Sequence, residues 1–446
     1  MLSDMSNILL FIDNKMRGVK YTYIIFVISI IYSCQGNNMA IAKGLPMATD
    51  TVSYEVLGTE DDGKFIIKDT IDLNNCVCII PENVSLVFRG GYLKNGTLVG
   101  NYTKLKSSMP CFSRVRIMGT WNVPVINTTL FDDLSYDNAL KDVFALADSS
   151  INNKIVIGKG YYQVTAYKNG DICLPIYSKA EMVIDGEIKL TPNDFRNYYI
   201  IQASGENIKI HGKGTIIGDK HTHTGESGEW GMGIDVENAH HVLISGLTIK
   251  DCWGDCIYVG SESTDVRIEN CRLDHGRRQG ISITSANGVS IKNCVITNVN
   301  GTAPEYAIDI EPNKGERVDN VVVEHVMANR CRGGFLVYGR AKDAWVGKVT
   351  FRRCQISADG KVVVNINKCD KANVEKCEAI LSRSERVVAC NEVTNLILRD
   401  NRVRYENPLS EKIKTAVKSA VGMGDNRVMS ITNCGNSIVD NNRVVE

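Results

Sequence analysis

Hydrophobic and polar positions alternate in short bursts along this chain, and in its second half the bursts share one spelling. The phrase is hydrophobic, any, hydrophobic, any, Asn or basic, Cys, any, hydrophobic. It reads VRIENCRL from Val266, VSIKNCVI from Val289, VTFRRCQI from Val349 and LILRDNRV from Leu396. Looser copies start at Val242, Val321, Ala372 and Ser437, so that successive starts lie 24, 23, 32, 28, 23, 24 and 41 residues apart. A base period near 23 with occasional insertions is the signature of a solenoid, in which each repeat packs only on its neighbours.

A second alternation accompanies the first: GIDVE (233–237), CIYVG (256–260), GISIT (280–284), AIDIE (307–311), GFLVY (334–338) and VVACN (387–391). Period two marks strands with one buried face. Two or three short strands per repeat, parted by Gly, Asn and Asp turns, predict an all-β right-handed parallel β-helix rising roughly 4.8 Å per coil. Residues 84–100, 182–190 and 208–218 carry the same strand character further upstream. Residues 137–147 differ: Leu140, Val143, Phe144 and Ala147 fall on one helical face, with Asp137 as N-cap, which predicts a short helix closing the N-terminal part of the solenoid. The expected organisation is a signal segment over 1–33, a linker over 34–52, an N-terminal β region over 53–130 and the β-helix over 131–446.

Composition sharpens this in three places. Formal net charge is zero, which gives no basic footprint for nucleic acid. Lys15, Arg17 and Lys20 precede an apolar run at 21–32, of signal-peptide length and too short to span a bilayer. Ser33-Cys34 after it resembles a bacterial lipobox, which implies lipidation at Cys34 and export of a lipid-anchored protein to the outer membrane. Fifteen cysteines would ordinarily suggest disulfides in an exported chain, but Cys271, Cys294, Cys354 and Cys377 share one repeat position, continued by Asn401. That predicts a ladder of buried free thiols. No Cys/His spacing suggests zinc, and the His221/His223 pair reads as loop.

With Ile234/Val236, Ile257/Val259, Ile281/Ile283 and Ile308/Ile310 pointing inward, the alternate residues stack outward. One column is Asp235, Tyr258, Ser282, Asp309, Leu336; the next is Glu237, Gly260, Thr284, Glu311, Tyr338. Flanking turns supply Asp255, His275, Arg277, Arg278, Lys314 and Arg340. Carboxylates, phenols and guanidinium groups along parallel strands suit a long groove for a charged polysaccharide, with the loops at 300–305 and 313–317 as walls.

The helix followed by KIVIGKGYYQV, the GKGTIIG at 212–218 and the 23-residue coil together resemble the pectate-lyase superfamily. This group comprises polysaccharide lyases, polygalacturonase-type hydrolases, uronate epimerases and tailspike depolymerases. The resemblance covers roughly residues 80–446 and implies the fold and a carbohydrate substrate; one scaffold serves several chemistries. Aligned with the polygalacturonase pattern, Gly254 and Met232 stand where two acids belong and Gln279 where the His belongs, leaving Asp255. Asp235 and Asp309 lie three coils apart, roughly 14 Å, beyond the reach of an acid pair, although a pair such as Asp309 with Glu311 stays open. YAIDIE (306–311) also resembles the Tyr-x-x-Asp strand of alginate epimerases.

The leading expectation is therefore a polysaccharide lyase acting on uronate chains, glycosaminoglycan- or pectin-like, by β-elimination. Tyr258, Arg278, His275, Tyr338 and Arg340 are its candidate catalytic residues, and Asp235, Asp255, Arg277 and Lys314 its candidate substrate contacts. Asp309 and Glu311, two apart on one strand face, form a candidate Ca²⁺ site. A glycoside hydrolase with rearranged acids and a non-catalytic, glycan-binding surface protein are the alternatives. The expected partner is an acidic polysaccharide, the expected state a monomer.

Overall fold

The computed structural model describes residues 50–445, apart from 59, 108, 138, 149, 382–385 and 406–428. The signal segment and Cys34 lie outside them. Among the described residues no helix is long and apolar enough to cross a membrane.

The chain is a right-handed parallel β-helix, and its strand register is the register of the repeated phrase. Val242 pairs with Val266, Val266 with Val289, Val289 with Val321 and Val321 with Val349. Val349 then pairs with Ala372, Ala372 with Leu396 and Leu396 with Ser437. The insertions between Val289 and Val321 and between Val321 and Val349 therefore lengthen loops and leave the phrase in step. A typical coil has three strands, as in Ile257–Gly260, Ser263–Glu269 and Arg272–Asp274.

The Asn-or-basic position of the phrase is a corner. Asn270, Asn293, His325, Arg353, Lys376 and Asp400 all have φ between 53° and 56°, the left-handed region that Asn tolerates and other side chains enter at a cost of about 1–2 kcal/mol. The recurring pattern offsets that cost: in each case the corner N–H donates to a carbonyl of the following coil, as from Asn270 to Lys292 (3.0 Å) and from Arg353 to Glu375 (3.0 Å). Gly246 fills the same corner at φ 77°.

The next position turns inward. Cys271, Cys294, Cys354 and Cys377 are at most 5% exposed, and the thiols of Cys271, Cys294 and Cys354 lie 3.6–3.8 Å from carbonyls of the preceding coil. All fourteen described cysteines are free. Asn401 and Asn442 continue the column by amide hydrogen bonds: Asn401 Nδ2 donates to Val374 O at 2.8 Å, and Asn442 Nδ2 to Leu398 O at 2.8 Å. The interior is filled by aligned aliphatic side chains from each strand face, all close to fully buried.

Ahead of the solenoid, most strands between Thr51 and Asp133 form a largely parallel sheet centred on the pairing of Tyr92–Lys106 with Phe112–Asn122, while Val125–Asn127 pairs with Lys154–Ile157 of the first coil. The helix is shorter than expected, Ala139–Phe144. It packs on Phe112–Asn122 and on the first coils at Tyr161–Val164 and Asp171–Ile176. Leu140, Val143 and Phe144 are buried there. Buried Asp142 fixes the helix by accepting the Ile117 N–H (2.9 Å) and the Tyr136 hydroxyl (2.8 Å).

Candidate functional site

Register sets the outward face. Gln202 pairs with Asp235, Asp235 with Tyr258, Tyr258 with Ser282, Ser282 with Asp309 and Asp309 with Leu336. Its chemistry concentrates around Arg278, on the turn that enters Ile281–Ile283. The Arg278 guanidinium lies 3.4 Å from Asp255 Oδ2 and 3.4 Å from Glu229 Oε2. It also feels the charges of Asp309 and Glu311. Burial works against its charge, but these four carboxyls outweigh burial and its pKa is raised. Glu229 and Asp255 precede Arg278 along the solenoid and Asp309 and Glu311 belong to the following coil, so the acids flank the cation along the helix axis.

On each flank a buried carboxyl backs a more open one. Asp255 is 0% and Asp309 2% exposed, while Glu311 is half-buried and the Glu229 side chain 46% exposed. Asp255 Oδ2 accepts the Ser282 hydroxyl at 2.7 Å, and Asp309 Oδ2 accepts Gln279 Nε2 at 2.5 Å. The second oxygen of each, Oδ1, has no hydrogen-bond donor. Burial raises the Asp255 pKa, with Arg278 opposing. Burial and then the Glu311 charge hold Asp309 well above the usual carboxylate range, and burial also raises Glu311. Asp309 and Glu311 are thus two crowded carboxyls whose charged forms disfavour each other.

Glu229 was not singled out from the sequence. Its signal is Gly254, where the polygalacturonase pattern has an acid. A Cβ at Gly254 would sit 2.4 Å from the Glu229 carbonyl oxygen. The 229–231 backbone thus occupies the place of the missing side chain, and the same segment delivers the Glu229 carboxyl.

Other predicted residues fall elsewhere. Asp235 belongs to the column but is fully buried, its Oδ2 bonded to Gln202 Nε2 at 2.7 Å; burial, then Glu237, pushes its pKa to about 8. The Tyr258 hydroxyl bonds Thr284 Oγ1 at 2.8 Å, and burial raises its pKa, so it stays a phenol. Arg277 is a clamp. Its Nε donates to Trp253 O at 2.7 Å, its other nitrogens to Thr302 and Gly228, and it lies 3.6 Å over the Trp253 ring. Behind that ring, His223 stacks at 3.8 Å and bonds buried Asp219 at 2.9 Å, which makes His223 part of the loop's core.

His275 pairs with Asp274 at 3.1 Å and packs edge-on against His221, contacts that hold it in its own turn. Arg340 pairs with Glu392 at 2.7 Å, further down the solenoid. Tyr338 stands beside Asn367 in the register. Lys314 is exposed on its loop. None of these four is tied to Arg278 by an ion pair or hydrogen bond among the described residues. For Ca²⁺ the surroundings of Asp309 and Glu311 fit poorly: the Arg278 charge and the Gln279 amide already face them. No group of three His, Cys, Asp or Glu among the described residues is placed to hold a metal.

Residues 152–315 match the family described as "Right handed beta helix region". The chain is 34% identical over 167 residues to the uncharacterized protein YclG of Bacillus subtilis, covering 32% of this chain and 28% of that one. It is 29% identical over 227 residues to the SPbeta prophage-derived uncharacterized protein YorA of Bacillus subtilis, covering 45% and 36%. It thus spans about a third of the length of these relatives. Among solved structures, the hyperthermoactive exopolygalacturonase of Thermotoga maritima superposes with a TM-score of 0.50 at 13% identity, over 72% of this chain and 90% of that one. That likeness is one of fold.

Proposed function

We propose that this face binds a polysaccharide and cleaves it by hydrolysis of a glycosidic bond. The observation that carries the reading is the flanking of Arg278 by two carboxyl pairs, Glu229 with Asp255 and Glu311 with Asp309. Glu229 and Glu311 belong to coils three apart, roughly 14 Å of rise. The Glu229 carboxyl, however, leans to within 3.4 Å of Arg278 and Glu311 acts on the same guanidinium, which narrows the gap towards the range of about 6.5–9.5 Å typical of inverting acid pairs. Environments that push two carboxyls apart in pKa mark the acid and the base. Glu311, raised by burial and backed by buried Asp309, gives its proton to the leaving oxygen. Glu229, paired with Arg278 and backed by Asp255, takes the proton of a water attacking the anomeric carbon. The water oxygen bonds to the anomeric carbon as its bond to the leaving oxygen breaks, giving a hemiacetal, the new reducing end, and an alcohol, with Glu311 left ionised and Glu229 protonated. The carbohydrate-active name of the solved neighbour is consistent with this reading.

β-Elimination is the second reading. Arg278 favours it, as a cation placed to neutralise a uronate carboxylate, with Tyr258 as the acid. It lacks an evident base, since His275 and Arg340 have partners elsewhere and Tyr338 stands a coil beyond Asp309 and Glu311, beside Asn367. Export and anchoring through Cys34 would bring the groove to extracellular polymer; the mass of the mature N-terminus tests that.

The deciding experiment incubates the protein with a polysaccharide panel and follows new reducing ends and the ultraviolet absorbance of unsaturated uronates together. Reducing ends without absorbance, abolished in Glu311→Gln, are expected. Absorbance would move the reading to elimination. Binding with neither product would leave a non-catalytic glycan-binding protein.

A further inference from the structure

Past Asp309 and Glu311 the outward columns change character. One continues Leu336, Asn365, Ala389, Ser430; the other continues Tyr338, Asn367, Asn391, Thr432. The carboxylates give way to carboxamides, hydroxyls and a phenol ring. Asn365, Asn367, Asn391 and Tyr338 are half-buried, open enough to meet a ligand and ordered by each other. Asn367 Nδ2 donates to Asn365 Oδ1 at 2.8 Å, and the Asn391 amide lies 2.9 Å from Thr432 Oγ1. This row adjoins the carboxyl cluster through the pairing of Asp309 with Leu336 and of Leu336 with Asn365. The unpartnered, buried Oδ1 of Asp309 lies at the junction.

We infer that the groove takes a neutral polysaccharide, one whose sugars present hydroxyl or acetamido groups and no carboxylate. This rests on the reading of the face as a glycan groove and names its substrate class. Amides offer both a donor and an acceptor, matching a sugar hydroxyl that gives one and takes one, and Tyr338 offers a ring for a pyranose face. A polyuronate would bring a negative charge on each residue into a face already lined by Glu229, Glu237 and Glu311. Like charges so close are unfavourable, and the exposed Lys314 is a single cation on its loop set against them. Arg278 is engaged by Asp255 and Glu229, and Arg340, beside the carboxamide row, by Glu392.

The test is affinity electrophoresis of the full chain as Glu311→Gln, which removes turnover and leaves the carboxamide row intact. Gels hold a neutral glucan, mannan, xylan or soluble chitin derivative, or else polygalacturonate, alginate or hyaluronan. Retention in at least one neutral gel is expected, with none in the polyuronates. Asn367→Ala and Tyr338→Ala should each weaken retention by about tenfold or more, which corresponds to roughly 1.4 kcal/mol. Circular dichroism confirms that each variant folds. Retention by a polyuronate, or neutral retention unaffected by both substitutions, overturns the inference, as does the absence of retention in every neutral gel. Cleavage of a polyuronate by the wild type would overturn it while leaving the catalytic reading standing, so the two fail separately.

Discussion

Gln279 grips Asp309 with Nε2 at 2.5 Å while its Oε1 takes the Tyr306 N–H at 2.7 Å. The two bonds fix the amide's orientation, because a swapped amide would set donor against donor at Tyr306. A side chain that cannot titrate therefore holds the carboxyl at every pH. Gln279→Leu should leave the buried Tyr306 N–H and Asp309 Oδ2 unpaired and cost about 1–3 kcal/mol each, read as a lower midpoint in urea unfolding.

Glu311→Gln removes the more accessible carboxyl of the Asp309/Glu311 pair. Loss of a general acid should lower kcat by about 10²–10⁴-fold, with binding retained and the thermal midpoint little changed. Glu229→Gln should lower kcat comparably. An effect confined to KM in both would assign these residues to binding alone.

Asp235 gives a pH signature. Its folded pKa, about 8, lies above its unfolded value because burial disfavours the charge. Between roughly pH 4 and 8 the unfolded state releases a proton that the folded state keeps, so stability falls as pH rises through this window. Asp255 and Asp309, also raised, add the same sign. Asp235→Asn keeps an acceptor for Gln202 and should flatten the fall, raising the melting temperature at pH 8 more than at pH 5. An unchanged slope would show that Asp235 ionises in the fold without penalty.

The thiol ladder predicts graded reactivity. Cys76 and Cys434 are half-exposed and the other described cysteines buried. A maleimide should label those two first in the native protein and reach Cys271, Cys294, Cys354 and Cys377 only on unfolding, as peptide mass mapping would show. Replacing Asn401 with Ala should cost more than replacing Cys294 with Val. The amide satisfies Val374 O and the Cys377 N–H, whereas the buried thiol acts mainly as a small apolar group.

The coils could be read from the chain because strand alternation and corner chemistry are local. Val266 and Val289 pair at the spacing of the phrase, and the Asn or basic residue before each Cys is the left-handed corner. The outward columns followed from the same register. What sequence could not supply was depth and direction at the turns. Asp235 lies on the outward column yet is covered completely. Arg277 and Arg278 are neighbours, but one is consumed by Trp253, Thr302 and Gly228 while the other reaches the acids. Glu229 enters the site through the close approach of its backbone to Gly254, a relation between loops of different coils that no periodicity records.

The corners carry a further consequence. Each coil's register is secured by its own left-handed residue and the N–H it gives to the next coil. Coupling between distant coils is correspondingly weak. A loop can lengthen, as between Val289 and its partner Val321, without displacing acids several coils away. Such a scaffold separates two kinds of change during descent. The rungs beneath Arg278 can stay fixed while the loops around them are rewritten, so new binding preferences are open to such a scaffold without loss of the frame that holds its acids.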